Sequence, residues 1–215
     1  FIKSNISEQK EIKKIDNKYF LINNSEELHK LISLIKKTGY FAIDTETNSL
    51  NIEEANLVGI SIAVNKNSAY YIPINHKNLE DNNRLKEQIK ESEIIKLLQP
   101  ICKDPSILKI GHNIKYDLRI LEKYGLKLTS IADTMLLSYA IDNGVTKHNM
   151  DDLAYLHFNH TNIKFKELVG SGKKEITFDF VEISKALDYA AEDALITLKL
   201  YNFLNSRIKN EKGNF

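Results

Sequence analysis

Apolar positions along this chain recur at two different periods, and each change of period marks an element. Tyr19-Phe20-Leu21-Ile22 reads as a short strand. Leu28, Leu31, Ile32 and Ile35 then fall at helical spacing behind Asn24, a capping residue with Glu27 three positions on, and Gly39 stands where that helix should stop. A second apolar run, Phe41-Ala42-Ile43, leads into Asp44-Thr45-Glu46-Thr47-Asn48-Ser49-Leu50. Two further strands follow, Leu57 to Val64 and Ala69 to Ile74, joined by the turn-like Asn65-Lys66-Asn67-Ser68. Three strands with short links predict an antiparallel meander.

Beyond Asp81 the order changes. Residues 81–101 read as a surface loop and a helix, and Pro100 and Pro105 mark a break before the short strand Ile107-Leu108-Lys109-Ile110. Gly111 to Leu118 reads as a strand-to-helix corner. Gly125 breaks the chain again before a fifth strand at Leu128 to Ala132, after which Asp133-Thr134 caps a helix from Met135 to Ile141. Asn149 caps another helix. Asp179-Phe180-Val181-Glu182 forms a capping box for a long one over about Phe180 to Ile208. Strands alternating with helices predict that the later strands run parallel to the one at Phe41.

Composition narrows what this pattern serves. With 215 residues, 42% of them hydrophobic, the chain can bury a sizeable single core. Polar, Lys-rich residues 1–18 read as a lead-in, 19–208 as the domain, and 209–215 as a charged tail or linker. A net charge of +1 excludes general electrostatic attraction to nucleic acid or membrane, so any nucleic-acid contact has to be local. Cys102 reads as a buried thiol, which supports neither a disulfide framework nor a thiolate metal site and suits a reducing cytoplasm. No run of 18 apolar residues spans a membrane, and no signal peptide is visible. A start at Phe1 fits a piece of a longer protein.

Candidate chemistry begins at Asp44 and Glu46. On a strand their side chains share one face and Thr45 points to the other. Adjacent acids repel, and a divalent cation between them removes the penalty. Taken alone, the pair reads as a solvated strand end rather than a metal site. Asn113 and Asp117 stack on one face at the start of a helix, where an acid also suits the helix dipole. Tyr189 and Asp193 share a face of the long helix among small alanines that allow close approach. Phe165, followed by the basic loop Gly170-Ser171-Gly172-Lys173-Lys174, reads either as a single-strand contact or as a solvated loop. Asp151 and Asp152 read as first-turn acids, and His29, His148, His157 and His160 as structural or surface residues.

In order, Asp44-Thr45-Glu46, Gly111-His112-Asn113-Ile114-Lys115-Tyr116-Asp117 and Tyr189-Ala190-Ala191-Glu192-Asp193 resemble the three exonuclease motifs of the DEDDy family. More narrowly, the chain resembles the 3′→5′ proofreading domain of bacterial DNA polymerase I. The likeness runs from about Tyr19 to Leu204 and includes Ala55-Asn56-Leu57-Val58-Gly59 and Asp133-Thr134-Met135-Leu136. It implies a ribonuclease H-like α/β fold, a mixed five-stranded sheet with three antiparallel strands then two parallel, flanked by helices. It implies two divalent ions, magnesium or manganese, held by Asp44, Glu46, Asp117 and Asp193, with Tyr189 as the fifth catalytic residue orienting the attacking water. Leu50 and Phe165 match positions that wedge or stack against terminal bases, and Asn113 and Tyr116 match substrate-side positions.

The implied partners are a single-stranded or frayed DNA 3′ end and a covalently linked polymerase domain. Two other readings remain open at this point. One is an RNA 3′-trimming enzyme of the ribonuclease D type, and the other is a catalytically silent domain that braces a polymerase.

Overall fold

The computed structural model describes residues 17–142, 144 and 146–212, the last two as backbone. All but two residues of the expected lead-in, and residues 213–215 of the expected tail, lie outside the described residues. Lys18 already belongs to a strand, and residues 209–212 continue the last helix.

Six strands form one sheet: β1 (Lys18–Leu21), β2 (Tyr40–Thr47), β3 (Leu57–Asn65), β4 (Ser68–Pro73), β5 (Leu108–Gly111) and β6 (Ile131–Asp133). Their order is β1-β4-β3-β2-β5-β6. As expected, β2, β3 and β4 make an antiparallel meander and β5 and β6 run parallel to β2. The sheet has six strands rather than five because Tyr19-Phe20-Leu21 pairs in parallel with β4 at the far edge. The fifth expected strand shortens to Ile131–Asp133.

Strand alternation sorts β2 between two helical layers. Phe41 and Ile43 join Ile60, Ile62, Leu28, Ile35, Ile94, Leu98, Ile120 and Leu121 in the larger core. That layer contains α1 (Ser25–Thr38), α2 (Glu91–Lys103) and α3 (Lys115–Lys123). Each Leu or Ile buried there contributes about 1.5–3 kcal/mol relative to exposure. Ala42, Ala63 and Ala69 face the other way, onto Ala191, Ala194, Leu195 and Leu198 of the 30-residue α7 (Ile183–Lys212). Small side chains on both partners bring α7 close to the sheet, and Asp44 and Glu46 share this face with Ala42. The remaining helices α4 (Thr134–Asp142), α5 (Met150–Phe158) and α6 (Phe165–Val169) connect β6 to α7. Among the described residues no helix is long and apolar enough to cross a membrane.

Helix ends follow their capping chemistry, with two departures from the sequence reading. Asn24 and Asn149 accept the N–H groups of Glu27 and Asp152, and Gly39 closes α1 at a φ of 74°. Pro100 does not break the chain before β5 but sits in the last turn of α2. It forfeits only its own N–H, while its carbonyl still accepts the N–H of Asp104 at 3.1 Å, where the helix stops. Helix α7 starts at Ile183, because the Asp179 carboxylate is taken by the Thr177 hydroxyl and by the Lys77 ammonium at 2.9 Å. The Glu182 carbonyl receives the first N–H groups instead, from Lys185 and Ala186.

Candidate active site

The two acids of β2 meet a third from α7. One carboxylate oxygen each of Asp44, Glu46 and Asp193 lies within 4.8 Å of the others. Strand alternation aims the first two at α7, and the close approach allowed by Ala190, Ala191 and Ala194 brings the third to meet them. A register shift between Glu46 and Thr47 ends the regular pairing of β2 immediately beyond the pair. Tyr189 lies one helical turn before Asp193.

Asp117 arrives from the opposite layer. It is buried on the first turn of α3 and accepts both the backbone N–H of Thr45, at 2.9 Å, and the Thr45 hydroxyl, at 2.6 Å, on one oxygen. The side chain that points away from α7 therefore holds the fourth acid at the same strand end. The corner that delivers α3 is tight. A Cβ on Gly111 would sit 2.5 Å from Ile114, and Asn113 takes a φ of 55°, a left-handed conformation that Asn tolerates. Asp133 pins this corner by accepting the N–H groups of Asn113 and Ile114 at 3.1 and 3.0 Å while capping α4 through Met135 at 2.9 Å.

All nine residues singled out in the sequence line one cavity of about 540 Å³. Asp44, Glu46, Asp117, Tyr189 and Asp193 cluster on one side, and Leu50, Asn113, Tyr116 and Phe165 complete the wall. Leu50 is 90% exposed at the rim. The Tyr116 hydroxyl donates to the Ser49 carbonyl at 2.6 Å and receives the Thr47 hydroxyl at 2.6 Å, tying α3 to the loop that carries Leu50. The Phe165 ring lies 6.1 Å from Phe178, nearly parallel at 9°, and edge-on to Tyr189. Phe178 was not singled out in the sequence, although it follows Ile176 at strand spacing; Thr45, Thr47 and His112 were missed as well.

Burial and mutual repulsion hold the acids protonated well past their ordinary range. Asp44 is raised by burial and then by Asp117, Glu46 and Asp193. Glu46 is raised by burial and then by Asp193 and Asp117. Burial lifts Asp117 to about 6 against the opposing pull of the Thr45 bonds. Asp193 reaches about 7 through burial and neighbouring Glu192. Burial and the three nearest acids also push the Tyr189 phenol up, so it keeps its proton. Glu46 Oε1 is buried with no hydrogen-bond partner. An oxygen-only donor set, a buried carboxylate oxygen lacking a partner and strong repulsion together fit a hard divalent cation.

The histidines stand apart from this cluster except at its edges. His148 bonds Ser138 at 2.8 Å and stacks on Tyr139, His157 packs on Phe203, and His29 is exposed. His160 reaches Glu192, and His112 lines the cavity with Nδ1 against the Thr134 hydroxyl. Lys173 and Lys174 of the basic loop are exposed, and the loop reaches the cavity wall through Glu175, Ile176 and Thr177. Cys102 is a buried free thiol.

A mixed sheet with acids at the end of its central strand and a long helix across one face is the ribonuclease H-like arrangement of exonucleases. Solved structures with this fold include Trypanosoma brucei RNase D, with a TM-score of 0.69, 16% identity and coverage of 87% of this chain and 65% of that one. Brucella melitensis NrnC with bound Mg2+ has a TM-score of 0.62, 21% identity and coverage of 90% and 83%. A 3′-5′ exonuclease family profile matches residues 19–209, and the chain belongs to that family. DNA polymerase I of Rhizobium leguminosarum is 39% identical over 208 residues, 88% of this chain and 20% of the relative. The chain spans about a fifth of the length of the curated relatives it matches.

Proposed function

We propose that this chain is the proofreading part of a DNA polymerase, a metal-dependent exonuclease that releases nucleoside monophosphates from single-stranded or frayed DNA 3′ ends. The observation that carries this reading is the Asp44–Glu46–Asp193 cluster, with its unpartnered Glu46 oxygen, opening into a cavity walled by Leu50 and Phe165. Two divalent ions, one held by Asp44, Glu46 and Asp193 and the other by Asp44 with Asp117, would supply a water ionised at neutral pH and relieve charge on the attacking and leaving oxygens.

The chain's own groups do the rest. Tyr189, whose phenol ordinarily ionises near 10, orients the attacking water rather than serving as the bulk proton acceptor. Leu50 wedges against the terminal base, Phe165 stacks on its neighbour, and Asn113 and Tyr116 border the path of the sugar-phosphate backbone. A site that takes only a few unpaired nucleotides selects frayed ends because a paired end must first be unstacked. The domain takes in Lys18 of β1 and extends through α7 to Lys212, and it is joined to a polymerase.

An assay with single-stranded, paired and mismatched DNA primers, with and without a chelator, tests this reading. Metal-dependent shortening from the 3′ end, fastest on single strands and mismatches, is expected. Faster shortening of a matched RNA strand would instead make the chain an RNA-trimming enzyme, and intact substrates in the presence of magnesium or manganese would make it a bracing domain.

A further inference from the structure

One acid of the third motif takes no part in the metal cradle. Glu192 precedes Asp193 on α7 and is buried at 6% exposure. Both of its oxygens are committed: Oε1 to His160 Nε2 at 2.9 Å, and Oε2 to the backbone N–H of Ile163 at 2.7 Å. A buried carboxylate is tolerated when it is paired in this way. Its two partners lie on the segment between α5 and α6, 29 to 32 residues before it in the chain.

That segment carries Phe165, the first residue of a helix only five residues long. So short a helix has little stability of its own, and Lys164 at its cap position makes no side-chain capping bond. The Lys164–Asp151 ion pair beside it is about half exposed on both sides and anchors the segment weakly. Ile163, two residues before Phe165, is held by a part-buried bond from its backbone N–H to the Glu192 carboxylate. The same bond sets the preceding Asn162 beside Asp193, where its side chain is 4% exposed.

We infer that Glu192 is a positioning residue, a clamp that fixes the segment carrying Phe165 against the helix carrying Tyr189 and Asp193 and thereby sets where the 3′-terminal bases stack. This inference rests on the exonuclease reading above. It assigns Glu192 an effect on substrate placement that is transmitted through Phe165 and is separate from metal binding.

A double-mutant cycle on the 215-residue chain tests it, using a single-stranded DNA probe with a fluorescent base analogue at its 3′ end. Binding is read in calcium and cleavage in magnesium. Glu192→Ala and Phe165→Ala should each raise KM about tenfold and abolish the stacking quench, and the double variant should match the single ones. Glu192→Gln, which can still accept from Ile163 and hydrogen-bond His160, should stay within about twofold of the parent. If Glu192→Ala fails to fold, His160→Ala removes one arm of the clamp and should give a smaller rise in KM that also vanishes in the Phe165→Ala background. Additive effects on KM, or an undiminished quench in Glu192→Ala, overturn the clamp while leaving the exonuclease reading intact. A parent chain that cuts no DNA overturns the exonuclease reading and the clamp with it.

Discussion

Thr45 gives both its backbone N–H and its hydroxyl to one oxygen of Asp117, at 2.9 and 2.6 Å, although 72 residues separate them in the chain. The two bonds join the end of β2 to the first turn of α3 and oppose the burial that raises the Asp117 carboxyl to about 6. A hydrogen bond to a charged group contributes about 1.5–3 kcal/mol. Thr45→Val keeps the backbone bond, the shape and the strand propensity but removes the hydroxyl. Its activity should fall about tenfold or more, and half-maximal rate should require more magnesium. A metal titration of the cleavage rate checks this; a midpoint equal to that of the parent chain would show that the hydroxyl does not matter to Asp117.

Asp44→Asn removes one charge from the repelling cluster without changing its shape. Cleavage should drop to background. The melting temperature of the chelated protein at pH 8 should rise by a few degrees, because ionised neighbours then repel less. Thermal melts of the two proteins in chelator decide; a lower melting temperature for the variant would mean that Asp44 stabilises the metal-free fold.

The same raised carboxyls fix how stability varies with pH. In the unfolded chain they titrate near 4. In the metal-free fold Asp117 and Asp193 hold protons to about 6 and about 7. Across that window the folded state binds more protons than the unfolded one, so their contribution is complete below about pH 4 and is lost as pH rises through 7. A tenfold difference in proton affinity between the two states corresponds to about 1.4 kcal/mol, and 1 kcal/mol moves the melting temperature of a domain of this size by about 2–4 °C. The chelated protein should therefore melt at lower temperature at pH 8 than at pH 5. Magnesium should raise the melting temperature more at pH 8, where the ligands are ionised. A profile that rises between pH 5 and pH 8 in chelator would contradict the assignment.

Gly59 lies directly opposite Glu46 in the β2–β3 register, and a Cβ there would meet the Tyr71 hydroxyl at 2.1 Å. Tyr71 cannot easily yield, because its hydroxyl also bonds His76 Nε2 at 2.7 Å in a buried pair. Gly59→Ala should cost about 1–3 kcal/mol of stability and weaken metal activation by shifting the strand beside Glu46. Denaturant unfolding together with a magnesium titration reads both effects.

Much of this arrangement was legible in the chain because local signals and tertiary packing agree. Asn24 and Gly39 bound α1 as their chemistry requires, and the alternation at Asp44-Thr45-Glu46 separates the two faces of β2. The acids were found because three stretches, in order, resemble the motifs of an exonuclease family, and all of them line one cavity. What escaped the reading is non-local. A four-residue strand at Lys18–Leu21 gives no hint that β4 will accept it. Asp179 looks like a helix cap until Lys77, about a hundred residues earlier, claims it. Glu192 reads as an ordinary helix residue because its partners at 160 and 163 become neighbours only when α6 folds back onto α7.

The acids of the cradle have three structural origins: the central strand, the α3 layer on one face of the sheet and α7 on the other. A chain that has docked only one of the two layers assembles at most three of the four acids. The complete site therefore requires both layers at once, and a copy in which either one is undocked lacks at least one of its acids.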